Sequence, residues 1–400
     1  MAFAWVIISL LTAMASGSPV PPHYLLSKPS DSEKLLVPGE DVSPDEDTLQ
    51  QVTVVFRHGQ RTPADTYPKD PHINDSMAPY GWGHLTNVGK LNQYDQGIYL
   101  RDRYDKFLGK IYSPEIFWLQ STGADRTKMS ALLEAAGLWK PNDAQTFKDD
   151  LPWQPAVLHY QSLDFDTLLL ARLPCPAYSM ELERVKNSSE YRKILIDNKE
   201  LLQQLSNLTG WDMQSPDDML SLYGTLRAES DLNLTLPSWT KEYYPEKLLP
   251  LSTYSFTLNV YNDLLRRLKG GPLLKKILSD MVDKSRDTLK PKNRKMFMYA
   301  GHDSTVANLL GTMGVWDKQM PEYNIMAIVE LHREKDNWNV QMFLRNTTEH
   351  EPYSLTVPGC STICPLDRFI EITKPVIPIN WSEECKVDDP NYVPPPPPMV

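Results

Sequence analysis

Five stretches of the chain are apolar enough to be buried strands, and three of them stop against charged side chains. Residues 51–56 (QVTVVF) form an apolar, β-branched run that reads as a buried strand. EIFWLQST (115–122) and KMFMYA (295–300) read the same way, and IMAIVELHRE (325–334) with WNVQMFLRN (338–346) reads as a closing antiparallel pair. Between them the period changes to that of helices. In TNVGKLNQYDQGIYLRDRY, apolar side chains recur at 88, 91, 94 and 98, one helical face, with Thr86 as N-cap. ADRTKMSALLEAAGLW (124–139) predicts a helix with Met129, Leu132, Leu133 and Ala136 on one side. From about 150 to 285 helical patterns dominate, punctuated by Pro and Trp. SFTLNVYNDLLRRLKGG (255–271) reads as one helix that stops at Gly270, with a restart at Pro272.

The resulting division is an α/β core in two parts, 49–149 and 286–385, interrupted by a mostly helical insertion at 150–285. A proline-rich acidic leader (18–48) precedes it, and a proline-rich tail (386–400) follows. The three strand exits are VVF-RHGQR, WLQS-TGADR and MYA-GHD. In an open α/β sheet, ligands bind outside the carboxyl ends of the strands. If these strands are parallel neighbours, Arg57, His58, Arg61, Arg126, His302 and Asp303 meet in one crevice. A lone arginine after a strand is ordinarily a solvated loop residue; two arginines bracketing a histidine, with matching DR and GHD exits, are not explained that way.

That set fits phosphoryl transfer. Guanidinium is planar, permanently charged and bidentate toward phosphate oxygens. Each close contact supplies up to about 4 kcal/mol at an effective dielectric of about 20, before desolvation is subtracted. A histidine can attack phosphorus to give a phosphohistidine. The carboxylic acid can protonate the leaving alkoxide and then act as base toward water. With arginines stabilising the charge, the scheme needs no metal and no other cofactor. It predicts an acidic pH optimum, because Asp303 must be protonated while His58 is not, and a free carboxyl titrates near about 3.9. Asp125, beside Arg126, reads as a structural partner rather than a catalyst.

Charge and cysteine content narrow the setting. The 400 residues carry 41 basic and 51 acidic side chains, a net charge of 41 − 51 = −10, which disfavours a nucleic-acid partner and makes any anion site a local one. Residues 1–17 (MAFAWVIISLLTAMASG) lack charge, with an apolar centre too short to span a bilayer and small residues after it: a secretory signal peptide. No later run reaches membrane-spanning length, so a soluble secreted protein without a membrane anchor is expected. Sequons at Asn74, Asn187, Asn207, Asn233, Asn346 and Asn380 agree with export and glycosylation. The four cysteines, Cys175, Cys360, Cys364 and Cys385, lack paired metal-ligand spacing and in an oxidising compartment read as two disulfides. Of the three pairings, Cys360–Cys364 with Cys175–Cys385 is preferred, as a tight local loop plus one long staple.

Arg57-His58-Gly59-Gln60-Arg61-Thr62-Pro63 together with His302-Asp303 resembles the RHGxRxP and HD motifs of the histidine acid phosphatases, in branch 2 of the histidine phosphatase superfamily. The likeness continues in STGADRTKMSA, LPSWT and GCSTICPLDRF, thus over roughly 50–385, and within the family it is nearest to insect venom-type secreted enzymes. The resemblance implies a phosphoglycerate-mutase-like three-layer α/β/α core with a helical cap. It implies His58 as nucleophile, Asp303 as proton donor, and Arg57, Arg61, Arg126 and His302 as phosphate ligands. Cysteine pairings in relatives match the preferred one, and many members are homodimers. Small phosphomonoesters are the implied substrates. Two other readings stay open. One is a secreted ligand-binding protein that has lost catalysis, although a binder does not need His58, Asp303 and three arginines together. The other is a phytase-like inositol phosphate phosphatase, which calls for extra Lys and Arg in the insertion, where basic residues are instead scattered among acids. A phosphomutase fits poorly with an export signal.

Overall fold

Strand β1 (Leu49–Arg57) is buried along nearly its whole length, which is why its sequence does not alternate. Val52, Val54 and Phe56 face one apolar cluster, while Val55 faces another on the opposite side of the sheet. The computed structural model describes residues 44–387. The expected signal peptide, nearly all of the leader and all but the first two residues of the tail lie outside the described residues. Seven further strands complete the sheet: β2 (Phe117–Ser121), β3 (Leu158–Tyr160), β4 (Met296–Gly301), β5 (Met326–Glu334), β6 (Asn337–Arg345), β7 (Tyr353–Leu355) and β8 (Cys364–Pro365). Their order is β3-β2-β4-β1-β5-β6-β7, with β8 beside β6. Strands β1, β2, β3 and β4 run parallel; β5, β6 and β7 return antiparallel. Register pairs Arg57 with Gly301 and Ser121 with Ala300, so the three charged exits leave the sheet side by side.

Helices α1 (Asn87–Arg103), α2 (Asp105–Leu108) and α3 (Asp125–Leu138) cover one face. Thr86 caps α1 as expected, its hydroxyl accepting from the Gly89 N–H at 3.0 Å. The buried face differs from the one the apolar period predicts. Val88 and Leu91 are 53% and 58% exposed, and the side turned inward is Gly89, Gln93, Gln96, Gly97 and Leu100. Helix α3 shows the same inversion: Met129 and Leu132 are exposed, while Thr127, Ser130, Ala131, Glu134 and Gly137 are buried. The cause is close helix contact. A Cβ on Gly97 would sit 2.0 Å from the Glu134 carbonyl oxygen, and one on Gly137 2.1 Å from that of Tyr94. Backbones this near admit only small side chains, so hydrophobicity does not mark the interface. Gly97→Ala is therefore expected to lower stability by about 3 kcal/mol. Gly224→Ala, in a helix with open space around the new methyl, is expected to raise it by up to about 1 kcal/mol. Urea unfolding of the two variants checks the contrast.

The insertion holds α4 (Pro176–Lys186), α5 (Ser189–Asp197), α6 (Lys199–Thr209), α7 (Pro216–Asp231), α8 (Thr240–Tyr243), α9 (Leu249–Leu258) and α10 (Asp263–Lys269). The helix expected over 255–271 is broken: α9 ends at Leu258, and Asn262 caps a new helix by accepting from the Leu265 N–H at 3.1 Å. Leu202, Leu205, Met219, Leu222, Leu226 and Leu251 form a separate apolar cluster, and Tyr67 from the loop after β1 plugs into it. Helix α11 (Gly271–Ser285) belongs elsewhere. Its Leu273, Leu274, Ile277 and Met281 pack with α12 (Asp303–Thr312) and α13 (Leu366–Thr373) on the second face of the sheet. That completes three α/β/α layers. The disulfides are Cys175–Cys385, joining the start of α4 to the end of α14 (Trp381–Glu384), and Cys360–Cys364.

Candidate active site

His58 follows β1 directly, its N–H still bonded to the Gly301 carbonyl at 3.0 Å, so the ring is fixed by the sheet. Gly59 then lets the chain pass α1, because a Cβ there would lie 2.4 Å from the Gly89 carbonyl oxygen. The imidazole is buried, with Nδ1 2.9 Å from the Gly59 carbonyl and Nε2 3.1 Å from Arg126 Nε. A guanidinium N–H can only donate, so Nε2 is the acceptor and the ring proton resides on Nδ1. The Nε2 lone pair is thus turned toward Arg126.

Arg57 is held from several sides. Its Nη2 pairs with Asp303 Oδ2 at 3.0 Å, its Nη1 donates to the Pro321 carbonyl, and the Tyr323 ring lies 4.4 Å from its guanidinium carbon. Gln93 fixes the Arg57 carbonyl at 3.0 Å. Asp303 opens α12, where the helix dipole favours a carboxylate, and its Oδ1 accepts from the Ser304 N–H at 2.7 Å. Arg61 Nη1 donates to the Thr62 carbonyl at 2.9 Å. The buried Nε of Arg57 and of Arg61 have no hydrogen-bond partner among the described residues.

Arg126, at the start of α3, also reaches His302: Nη2 lies 3.4 Å from His302 Nδ1. His302 Nε2 stands 3.0 Å from the Thr122 hydroxyl, which meets the Thr127 hydroxyl at 2.7 Å. With Arg126 donating to Nδ1, His302 carries its proton on Nε2 and donates a hydrogen bond through it to the Thr122 hydroxyl. In this state His302 faces the crevice as an acceptor and becomes a donor there only by gaining a proton.

The electrostatics follow from three half-buried cations around two buried imidazoles. Burial first, then Arg126, Arg57, His302 and Arg61, hold His58 well below the usual imidazole range. His302 is lowered too, by burial and Arg126, against the pull of Asp303. Arg126 itself is brought down to about 10 by burial and Arg61, and so stays charged in acid. Burial raises the Asp303 carboxyl, but Arg57 and His302 overcome it and leave the group below the ordinary carboxylate range. All six residues singled out in the sequence thus act on one another in one crevice. Asp125, in contrast, pairs with Lys128 at 2.7 Å on the surface.

The model of the histidine phosphatase superfamily (branch 2) matches residues 48–350. The chain belongs to that superfamily. It is 41% identical to human prostatic acid phosphatase over 344 residues, 84% of this chain and 88% of that protein. To the venom acid phosphatase of Apis mellifera it is 36% identical over 341 residues, 84% of this chain and 87% of that protein. Among solved structures, the Hafnia alvei phytase in complex with tartrate superposes with a TM-score of 0.63 at 18% identity, over 85% of this chain and 98% of that one, a likeness of fold.

In this histidine phosphatase, several groups around the motif residues had no signal in the sequence. Tyr323, the Pro321 carbonyl, Thr122 and Gln93 lie in loops or on helix faces and carry no periodic mark. Gln60, the variable position of the motif, turns from the crevice and accepts from the Thr86 hydroxyl at 2.6 Å. Of the sequon asparagines, Asn74, Asn187, Asn207, Asn233 and Asn380 are exposed. Asn346 is half-buried, donating to Gln319 at 3.1 Å and accepting from Tyr353 at 3.3 Å. No helix among the described residues is long and apolar enough to cross a membrane.

Proposed function

We propose that this histidine phosphatase is an acid phosphatase that cleaves phosphate monoesters through a phosphohistidine at His58, with Asp303 as proton donor. The observation that carries the reading is the state of His58: neutral, protonated on Nδ1, with an unprotonated Nε2 that accepts from Arg126 within the field of Arg57 and Arg61. Arg57, Arg61 and Arg126 hold the phosphoryl oxygens, and the partnerless Nε donors of Arg57 and Arg61 suit that task. Nε2 attacks phosphorus as the P–O bond to the leaving alcohol breaks, and Asp303 gives that oxygen its proton. Water then attacks phosphorus, its proton passes to the Asp303 carboxylate, the P–N bond breaks, and orthophosphate leaves with His58 neutral again. His302, once protonated by the incoming acid phosphate, donates to a phosphoryl oxygen. No metal or cofactor takes part in this scheme. The insertion, expected over 150–285, serves as the cap over the crevice, with α11 counted among the sheet layers.

The pH dependence follows from the signs. The lowered His58 keeps the nucleophile unprotonated in acid, so the acid limb falls well below the ordinary imidazole range. Asp303 is ionised beside Arg57 in the free enzyme. A bound phosphate dianion competes for Arg57 and repels the carboxylate, and both effects raise the donor. Activity is therefore lost as pH rises through the raised value. Hydrolysis of p-nitrophenyl phosphate from pH 4 to 8 with EDTA tests this. Turnover that peaks in acid and survives EDTA is expected; an alkaline optimum or loss on chelation would overturn it. Secretion rests on the sequence of residues 1–17 and on the two disulfides, which suit an extracellular or lumenal compartment. A homodimer is carried over from the family resemblance alone.

A further inference from the structure

The end of α7 sits against the loops that follow β1 and precede β5. Thr225 donates to the Asp65 carbonyl at 3.0 Å. Two residues on, Arg227 Nε bonds both oxygens of Asp231, at 3.1 and 3.0 Å, and Nη2 pairs with Glu322 at 3.1 Å. Glu322 lies between Pro321, whose carbonyl accepts from Arg57, and Tyr323, whose ring lies against Arg57. Burial raises the Asp231 carboxyl against the opposing pull of Arg227, and Arg57 is near enough to add a smaller pull of its own. Two carboxylates and one guanidinium therefore gather near Arg57, with which Asp303 also pairs at 3.0 Å, and Asp303 marks where the leaving group stands.

We propose that Asp231 and Glu322 form an acidic rim on the leaving-group side of the crevice and select monoesters with neutral or cationic leaving groups over polyphosphorylated ones. The inference rests on the phosphatase reading above. Three arginines attract any phosphoryl group without regard to what it is attached to. The rim makes the distinction: a leaving group bearing further phosphates meets two carboxylates against one guanidinium. Arg227 and Glu322 are each 34% exposed, so water screens the rim and each charge is worth about fivefold in selectivity rather than orders of magnitude.

The test compares kcat/KM at pH 6 and constant ionic strength for p-nitrophenyl phosphate, phosphocholine and inositol hexakisphosphate in the wild type, Glu322→Gln and Asp231→Asn. Relative to p-nitrophenyl phosphate, each variant is expected to gain about fivefold on the hexakisphosphate and lose about fivefold on phosphocholine. Loss of cap docking cannot produce opposite changes of this kind. A parallel fall for all three esters means that the charges only hold α7 in place, and overturns the proposal, as do unchanged ratios. A folded wild type that hydrolyses none of the three sinks the phosphatase reading itself, and the rim with it.

Discussion

His58→Ala lowers kcat for p-nitrophenyl phosphate by at least about 10⁴-fold while leaving inorganic phosphate bound within about tenfold of the wild type. The two halves of this expected result come from different atoms. Nε2 of His58 is the nucleophilic lone pair, held by the sheet beside Arg126 and in the field of Arg57 and Arg61, and alanine removes it. Arg57, Arg61 and Arg126 remain, and the loss of the ring frees the Arg126 Nε–H for an anion oxygen. Isothermal titration with phosphate measures the second half, and steady-state kinetics the first. Rapid alkaline quench of the wild type with ³²P-labelled substrate adds a direct view, because phosphohistidine survives base and is lost in acid. Retention of more than about 1% of activity by the variant would mean that water attacks phosphorus directly, with His58 only lining the site.

How much of this was legible in the chain depends on what each feature needs. The parallel strands announced themselves because burial on both faces demands continuous apolar sequence, and the site announced itself where Arg57, Gly301 and Ser121 end that continuity in adjacent registers. The packing of α1 on α3 was illegible by the same logic. Gly97 and Gly137 bring the backbones together, and Val88, Leu91, Met129 and Leu132 are left outside, so an apolar stripe pointed the wrong way. Strands β3, β7 and β8, of three, three and two residues, are too short to show a period. The partners of Arg57 arrive from positions far away in sequence, at Pro321 and Tyr323, and the α7 rim depends on Arg227 finding Glu322 across the fold. The chemistry of Asp303 shows the same limit. Sequence alone asks for a carboxyl that holds its proton, whereas the free enzyme keeps it ionised against Arg57.

That ion pair determines what Asp303→Asn does. In the free enzyme Arg57 stabilises the carboxylate at 3.0 Å, so the donor state forms only when substrate takes over the guanidinium. Asparagine fits the space but cannot give up a proton. Esters of poor leaving alcohols, such as β-glycerophosphate, are therefore expected to lose about 10³-fold in kcat/KM, while p-nitrophenyl phosphate, whose phenolate departs without protonation, loses about tenfold. The alkaline limb of the wild-type profile disappears for the latter ester, since no carboxyl remains to titrate. The second half-reaction suffers as well, because the same carboxylate takes the proton from water. Stopped-flow assays should then show about one equivalent of nitrophenol per site released in a burst, followed by slow turnover limited by the phosphohistidine. An equal loss for the two esters, without a burst, would remove Asp303 from the proton path and leave it as the residue that orients Arg57.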